Sequence, residues 1–459
     1  MAAGVTIMKK TSNYTLTEGP IFKSLLLYSI PIIITNVVQL IFHITDVAVL
    51  AIMADDYAVA SVGACGSIIT LLVSLFTGFA TGSNVLIAKR IGEKNNEGVK
   101  KGIGASIAIG LASGLILMIA GLIFARDFLI ITNCQNDVLD GAVTYLVIYF
   151  CGMPIIMLYT FIASVFGAMG DSVRPMRYML ISGIINLVLN IIFTGLLNLS
   201  VAGVALATVI SNLIALILAL IALFKNREYC DIKANDIKLK KEEFSEIVKV
   251  GIPTCFCSIF FYMANVIISS VINSISTDAM TASAVANQFD GIIYNVGFSI
   301  AIAASVMVGQ NYGAKSHERI KKTMRMSVLY ATSVSLILGT VFVFLANSMI
   351  GIMTDNPDVT KLAKDRMVIL CLTYFVTSIM EVFSFSLRAM GKATITMIVG
   401  AICGLLMRGG WAWFVWPLYP TFSMVFQCYP VTAFIAIIIY LFYYKNTMRE
   451  LNKEWKAEL

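Results

Sequence analysis

Twelve apolar stretches, each long enough to cross a bilayer, follow one another from residue 25 to residue 444, separated by short polar connections. That pattern leaves few folds open. About 20 apolar residues span the hydrocarbon core as a helix, and there every backbone N–H and C=O must be satisfied within the chain, which only helices and closed barrels achieve. The stretches lie near residues 25–53, 58–88, 103–125, 141–166, 176–197 and 201–224, and again near 249–273, 281–309, 324–346, 367–387, 393–417 and 422–444. Their length predicts helices, hence an all-α polytopic membrane protein. Composition agrees: 59% of residues are hydrophobic, 13% are charged, and the mean hydropathy is +0.87, far outside the soluble range.

An even number of spans puts both termini on one side. Most of the 33 Lys and Arg residues fall before the first span (Lys9, Lys10, Lys23), in alternate connections such as Lys89–Lys101 and Lys315–Arg325, or in the tail from Lys445. The positive-inside rule makes that side cytoplasmic, so the expectation is an inner (plasma) membrane protein with both termini in the cytoplasm. The net charge of +7 is then a topology signal, and no nucleic-acid partner is needed to explain it. The polar first 20 residues and a first apolar run of full span length argue against a cleavable signal peptide. The nine cysteines show no paired metal spacing; Cys255 and Cys257, two apart on an apolar helix, read as packing residues. His43 and His317 are too few for a metal site. Without a phosphate loop, nucleophile elbow or zinc motif, neither an enzyme nor a cofactor is expected.

The sequence repeats itself. "YSIPIIITN" at 28–36 echoes "VGIPTCFCS" at 250–258, so that Pro31 matches Pro253 at an offset of 222 residues. "IGEKNNEGVKKGI" at 91 parallels "YGAKSHERIKKTM" at 312, and "GAMGD" at 167 parallels "RAMGK" at 388, both offset by 221. The expected organisation is an N-lobe over 1–224, a cytoplasmic linker over 225–248, and a C-lobe over 249–459 with a short cytoplasmic tail. Six spans per lobe give both halves the same orientation, related by a pseudo-two-fold along the membrane normal, and duplicated transporters of this kind hold their sites near the midplane.

Asp46 interrupts the first apolar run. A carboxylate at the middle of a spanning helix costs roughly 2.5–3.5 kcal/mol on insertion scales, so it needs a partner, a proton or an ion.

Several motifs together resemble the multidrug and toxic compound extrusion (MATE) family of bacterial efflux transporters: "SIPIIITN" with an Asp fifteen residues after its proline, "GAMGDSVRPM", "INLVLN", "VAGVALATVIS" and "LRAMGK". The likeness covers essentially the whole chain. It implies a V-shaped pair of six-helix lobes and export of bulky, often cationic or amphipathic organic compounds in exchange for inward Na+ or H+. It puts the family's cation-binding aspartate at Asp46 and further ligands at Asn186, Asn190 and Thr208, with Asn190 where relatives carry an Asp. Side chains four apart on a helix share a face, so the two asparagines can converge with Asp46 on a small hard cation, which takes oxygen ligands. Alternatively they act as interhelical glue. NorM-like relatives carry a Glu on the seventh helix; Tyr262 stands at that place here.

The C-lobe carries its own ionisable groups within spans: Glu381, Asp290 and Arg408. Glu381 and Arg408 either pair or face a substrate cavity, Asp290 either caps or pairs near a broken helix or lines that cavity, and Tyr262 is a further cavity candidate. Pro31, Pro154 and Pro253 interrupt spans, and a bend at Pro31 either couples ion binding to cavity shape or is a packing kink. Trp411, Trp413, Trp416, Tyr419 and Tyr429 read as an aromatic belt, with cation–π contact to substrate as the other reading. The expectation is a cation-coupled antiporter, monomeric in the bilayer, with small organic substrates. The competing reading is a lipid-linked saccharide flippase, which would line its cavity with several Arg or Lys; only Arg408 lies well inside an expected span.

Overall fold

The structure, a computed structural model, describes residues 16–54, 56–132, 134–225 and 236–457. Lys9 and Lys10, and residues 226–235 of the expected linker, lie outside the described residues, as does the His43 side chain. Every regular element among the described residues is helical. The spans are α1 (Ile21–Met53), α2 (Tyr57–Gly92), α3 (Asn96–Ile131), the bent pair α4 (Asn136–Cys151) and α5 (Met153–Ala168), α6 (Val173–Leu196), α7 (Ser200–Lys225), α8 (Lys241–Ile275), α9 (Thr277–Gly313), α10 (His317–Ile350), α11 (Pro357–Ala389), α12 (Ala393–Leu418) and α13 (Phe422–Ala457). With the bent pair taken as one span they number twelve, as the hydropathy pattern predicts. Most overrun the apolar stretches by a turn or more, because polar residues continue a helix beyond the hydrocarbon at no solvation cost.

The repeat is visible in the backbone of its corners. After α2 the chain turns through Lys94 at φ 56° into Asn95, whose side chain accepts from Gly98 N–H and caps α3. After α9 the same turn recurs at Lys315, φ 52°, before Ser316 and α10. Likewise Gly170 (φ 83°) and Gly391 (φ 78°), the glycines of "GAMGD" and "RAMGK", both take the left-handed conformation that glycine adopts without a Cβ penalty. In the first of these corners Asp171 Oδ1 accepts from the N–H groups of Val173 and Arg174, capping α6.

The prolines behave differently from one another. At Pro154 the span breaks, α4 and α5 meeting at 50°. α1 and α8, by contrast, run as continuous helices through Pro31 and Pro253. By internal packing the residues form two compact units, one holding Ile34–Cys255 and the other Leu16–Ile33 together with the chain from Phe256 onward. The first unit has a core of Leu50, Val62, Leu117, Leu146, Phe150, Met157 and Val204. The second is centred on Ile268, Ile293, Met367, Leu370 and Phe426. Close helix approach depends on small residues: a Cβ on Gly114 of α3 would meet the Met153–Pro154 backbone, and one on Gly339 of α10 would meet the Cys371 carbonyl of α11.

Candidate functional site

In the first unit, α1, α6 and α7 bring the four proposed ligands together. Asp46 lies about two turns before the end of α1, nearer the helix end than the mid-span position expected for it. Asn186 and Asn190, one turn apart on α6, are buried; Asp46 and Thr208 are half-buried. The Asn190 amide donates to Asp46 Oδ1 at 2.5 Å and to Asn186 Oδ1 at 3.2 Å. The Asn186 amide donates to Thr208 Oγ1 at 3.4 Å, and the Thr208 hydroxyl donates to Val204 O at 3.0 Å. One carboxylate thus stands at the head of a chain of neutral amide and hydroxyl groups.

Asn190 Oδ1 is buried and has no hydrogen-bond partner among the described residues, and the same holds for Thr194 Oγ1 four residues on. An unsatisfied buried acceptor costs about 1–3 kcal/mol, a penalty that a cation or proton donor placed beside it would remove. Immediately after Asn190 the helix widens into a π-type segment, Ile191–Leu196, a deformation frequent at functional sites. Tyr145 and Tyr149, stacked at 5.9 Å on α4, are close enough to feel the Asp46 charge. Thr194 and this tyrosine pair carry no mark in the sequence: a threonine in an apolar helix and two aromatics at helical spacing look like packing residues.

The second unit holds two polar clusters. Asp290 is fully buried on α9 and pairs with Arg366 of α11, Nε to Oδ2 at 2.8 Å and Nη2 to Oδ1 at 3.3 Å. Arg366 also donates to Ser283 O at 2.9 Å and Asn287 Oδ1 at 3.0 Å, and lies over the Phe426 ring. Asp290 therefore pairs, and with a residue that hydropathy had left just outside the tenth span; α11 begins nine residues earlier, at Pro357.

Glu381 and Arg408 are not an ion pair in this structure. The Arg408 guanidinium instead lies 4.4 Å from the Tyr429 ring centre, with Nε 3.5 Å from Thr432 Oγ1. Its Nη1 is buried without a hydrogen-bond partner among the described residues. The Tyr429 hydroxyl donates to Asn265 Oδ1 at 3.1 Å. This tyrosine is an interior residue, unlike the belt position expected for it. Trp413 and Tyr419 are exposed, as a belt requires, whereas the Trp411 indole donates inward to Met424 O. Glu381, Arg408 and Tyr262 all lie close enough to act electrostatically on Tyr294, which stacks between Phe261 and Phe298 at ring distances of 6.0 Å. A half-buried acid, an unpaired guanidinium and an aromatic wall suit an amphipathic organic molecule.

Comparison with known proteins decides the family. The MatE family model matches residues 31–192 and again 253–408. The chain belongs to the MatE family. The two matches begin at Pro31 and Pro253, the residues from which the internal repeat was measured. This MatE protein is similar to the probable multidrug resistance protein YoeA of Bacillus subtilis (strain 168), 23% identical over 82% of each chain. It is also similar to the multidrug export protein MepA of Staphylococcus aureus (strain MSSA476), 22% identical over 87% of this chain and 88% of that one. A solved structure of a multidrug resistance MATE family transporter in an outward-facing conformation superposes with a TM-score of 0.89. It is 21% identical, and the alignment covers 96% of this chain and 99% of that one. The protein is a multi-pass membrane transporter of the MatE family rather than an enzyme. The flippase reading is not favoured: the relatives are named as multidrug resistance and multidrug export proteins, and Arg366, buried within α11, is neutralised by Asp290.

Proposed function

We propose that this MatE transporter is a cation-coupled antiporter. It exports amphipathic or cationic organic compounds across the plasma membrane in exchange for Na+ or H+ entering at Asp46. The observation that supports this reading is the single carboxylate bonded to Asn190, which leads on to Asn186 and Thr208, with a buried amide oxygen beside it that has no hydrogen-bond partner among the described residues. The site balances one monovalent charge, which either a proton on Asp46 or a Na+ among the oxygens supplies. Neutral oxygens in this number favour Na+, since a proton needs none of them. Inward movement of one charge yields about 2.3 kcal/mol per 100 mV, to which a chemical gradient adds. A ligand that binds one conformation better than another shifts the balance by that difference, so cation entry at Asp46 drives the change that releases substrate. Acceptance of cationic amphiphiles fits the aromatic wall and Glu381 of the second unit, and export of organic compounds fits the names of YoeA and MepA, which speak of multidrug resistance and multidrug export. The test is drug transport in proteoliposomes with Na+ and pH gradients imposed separately. Transport that follows neither gradient, or follows one equally well in Asp46→Asn, overturns the proposal.

A further inference from the structure

We propose that the cleft between α10 and α13 is a binding site for an anionic phospholipid of the cytoplasmic leaflet. It has a volume of about 670 Å³ and lies wholly within the second unit. Its mouth carries four cations, Lys321 and Arg325 one turn apart on α10, and Lys445 and Arg449 one turn apart on α13. Lys321 is paired with Glu318 at 3.1 Å. Arg325, Lys445 and Arg449 are exposed and make no ion pair among the described residues. Beyond the mouth the lining changes character, to Val328 and Leu329 on α10, Leu441 on α13 and Phe383 of α11. Phe383 packs edge-on against Tyr444 with ring centres 5.7 Å apart.

The order of these residues follows from the opposite directions of the two helices. α10 starts at the basic end and α13 finishes there, so in both the cations come at the end that the charge asymmetry makes cytoplasmic and the apolar residues lie deeper. From Lys321 to Leu329 is about 12 Å along the axis at 1.5 Å per residue, the scale over which a phospholipid passes from phosphate to acyl chain. The His317 ring, bonded to Met448 O at 2.9 Å, ties the helices together at the polar end. Basic pockets between helices on the cytoplasmic side suit anionic headgroups, and this one adds an apolar floor that a free phosphate would leave empty.

The test is native mass spectrometry of the purified full chain titrated with dioleoyl phosphatidylglycerol, dioleoyl phosphatidylcholine or inorganic phosphate. The triple variant Arg325→Gln/Lys445→Gln/Arg449→Gln should bind phosphatidylglycerol at least about tenfold more weakly, as loss of three juxtamembrane cations implies. Val328→Trp, which fills the apolar part and keeps every charge, should also lose the lipid, and it carries the test if the triple variant does not fold. Lys238→Gln/Lys240→Gln/Lys249→Gln, which removes the same charge from exposed positions of the first unit, should leave binding unchanged. Equal loss in that control, no loss in either cleft variant, equal affinity for phosphatidylcholine, or displacement by millimolar inorganic phosphate would overturn the proposal.

Discussion

Asp46→Asn keeps the shape of the side chain and its bond from Asn190 can be remade, but the charge is gone. Coupled transport should fall to background while membrane abundance and thermal stability stay near the parent's, measured by dye efflux alongside a detergent melt. Asn190→Ala removes both the amide that donates to Asp46 and its unpartnered oxygen, and should weaken Na+ dependence more than Asn186→Ala does. A Na+ titration of efflux that is the same in parent and Asn190→Ala would leave Asp46 working alone as a proton carrier. Asp290 and Arg366 call for the opposite kind of experiment, because they satisfy each other. Removing one partner of a buried pair leaves an uncompensated charge and costs about 3–5 kcal/mol, whereas replacing both by apolar groups is often near neutral. Asp290→Leu or Arg366→Leu should therefore melt far below the parent, with the double variant melting above either single one. At this scale the sequence was legible where a polar atom interrupts an apolar run, as at Asp46, Asn186 and Asn190. It was opaque where partner choice depends on rotation between helices. Arg408 was equally available to Glu381 and to Tyr429 in the linear pattern, and only packing sends it to the ring.

At the scale of elements, the corners of the repeat separate backbone conformation from side-chain contact. A Cβ on Gly391 would meet nothing within 4 Å, yet its φ is 78°. Gly391→Ala should therefore destabilise through the backbone alone, by about 1–2 kcal/mol. Lys94 and Lys315 hold non-glycine residues in the same region, so Lys94→Gly should be neutral or stabilising. A fall in melting temperature for Lys94→Gly as large as that for Gly391→Ala would contradict the reading. The helix-contact glycines fail differently: Gly339→Leu drives a side chain into the Cys371 carbonyl, and overpacking of this kind costs about 1–3 kcal/mol. Helix existence was readable from hydropathy in every span. What hydropathy could not give was the bend at Gly152–Pro154 against the unbroken course through Pro31 and Pro253. A proline removes one hydrogen bond wherever it stands, and whether the helix breaks there depends on what packs around it. The overrun of α11 to Pro357 was missed for a related reason: Arg366 is polar in composition and buried in fact, because Asp290 faces it from α9.

At the scale of the whole molecule, the direction of transport rests on which face is cytoplasmic, and the charge asymmetry is the physical handle on that. Twelve spans place residues 238 and 322 on one side and residue 358 on the other, since α10 runs between the last two and crosses once. Lys238, Lys322 and Asp358 are all exposed, so a cysteine at any of them is available to a reagent on its own side. In a background with the nine native cysteines replaced, single cysteines at Lys238 and Lys322 should be protected from a membrane-impermeant maleimide in intact cells and react after permeabilisation. A cysteine at Asp358 should react in both. Three positions suffice because each span inverts the side. If Lys238 and Lys322 label in intact cells and Asp358 does not, the molecule is inserted the other way. The Asp46 end of α1 would then face the cytoplasm, the cleft between α10 and α13 would meet the outer leaflet, and export driven by a cation entering from outside would have no entry point. If Lys238 and Lys322 fall on opposite sides of the membrane, the span count between them is odd, and α8 and α9 do not both cross the bilayer.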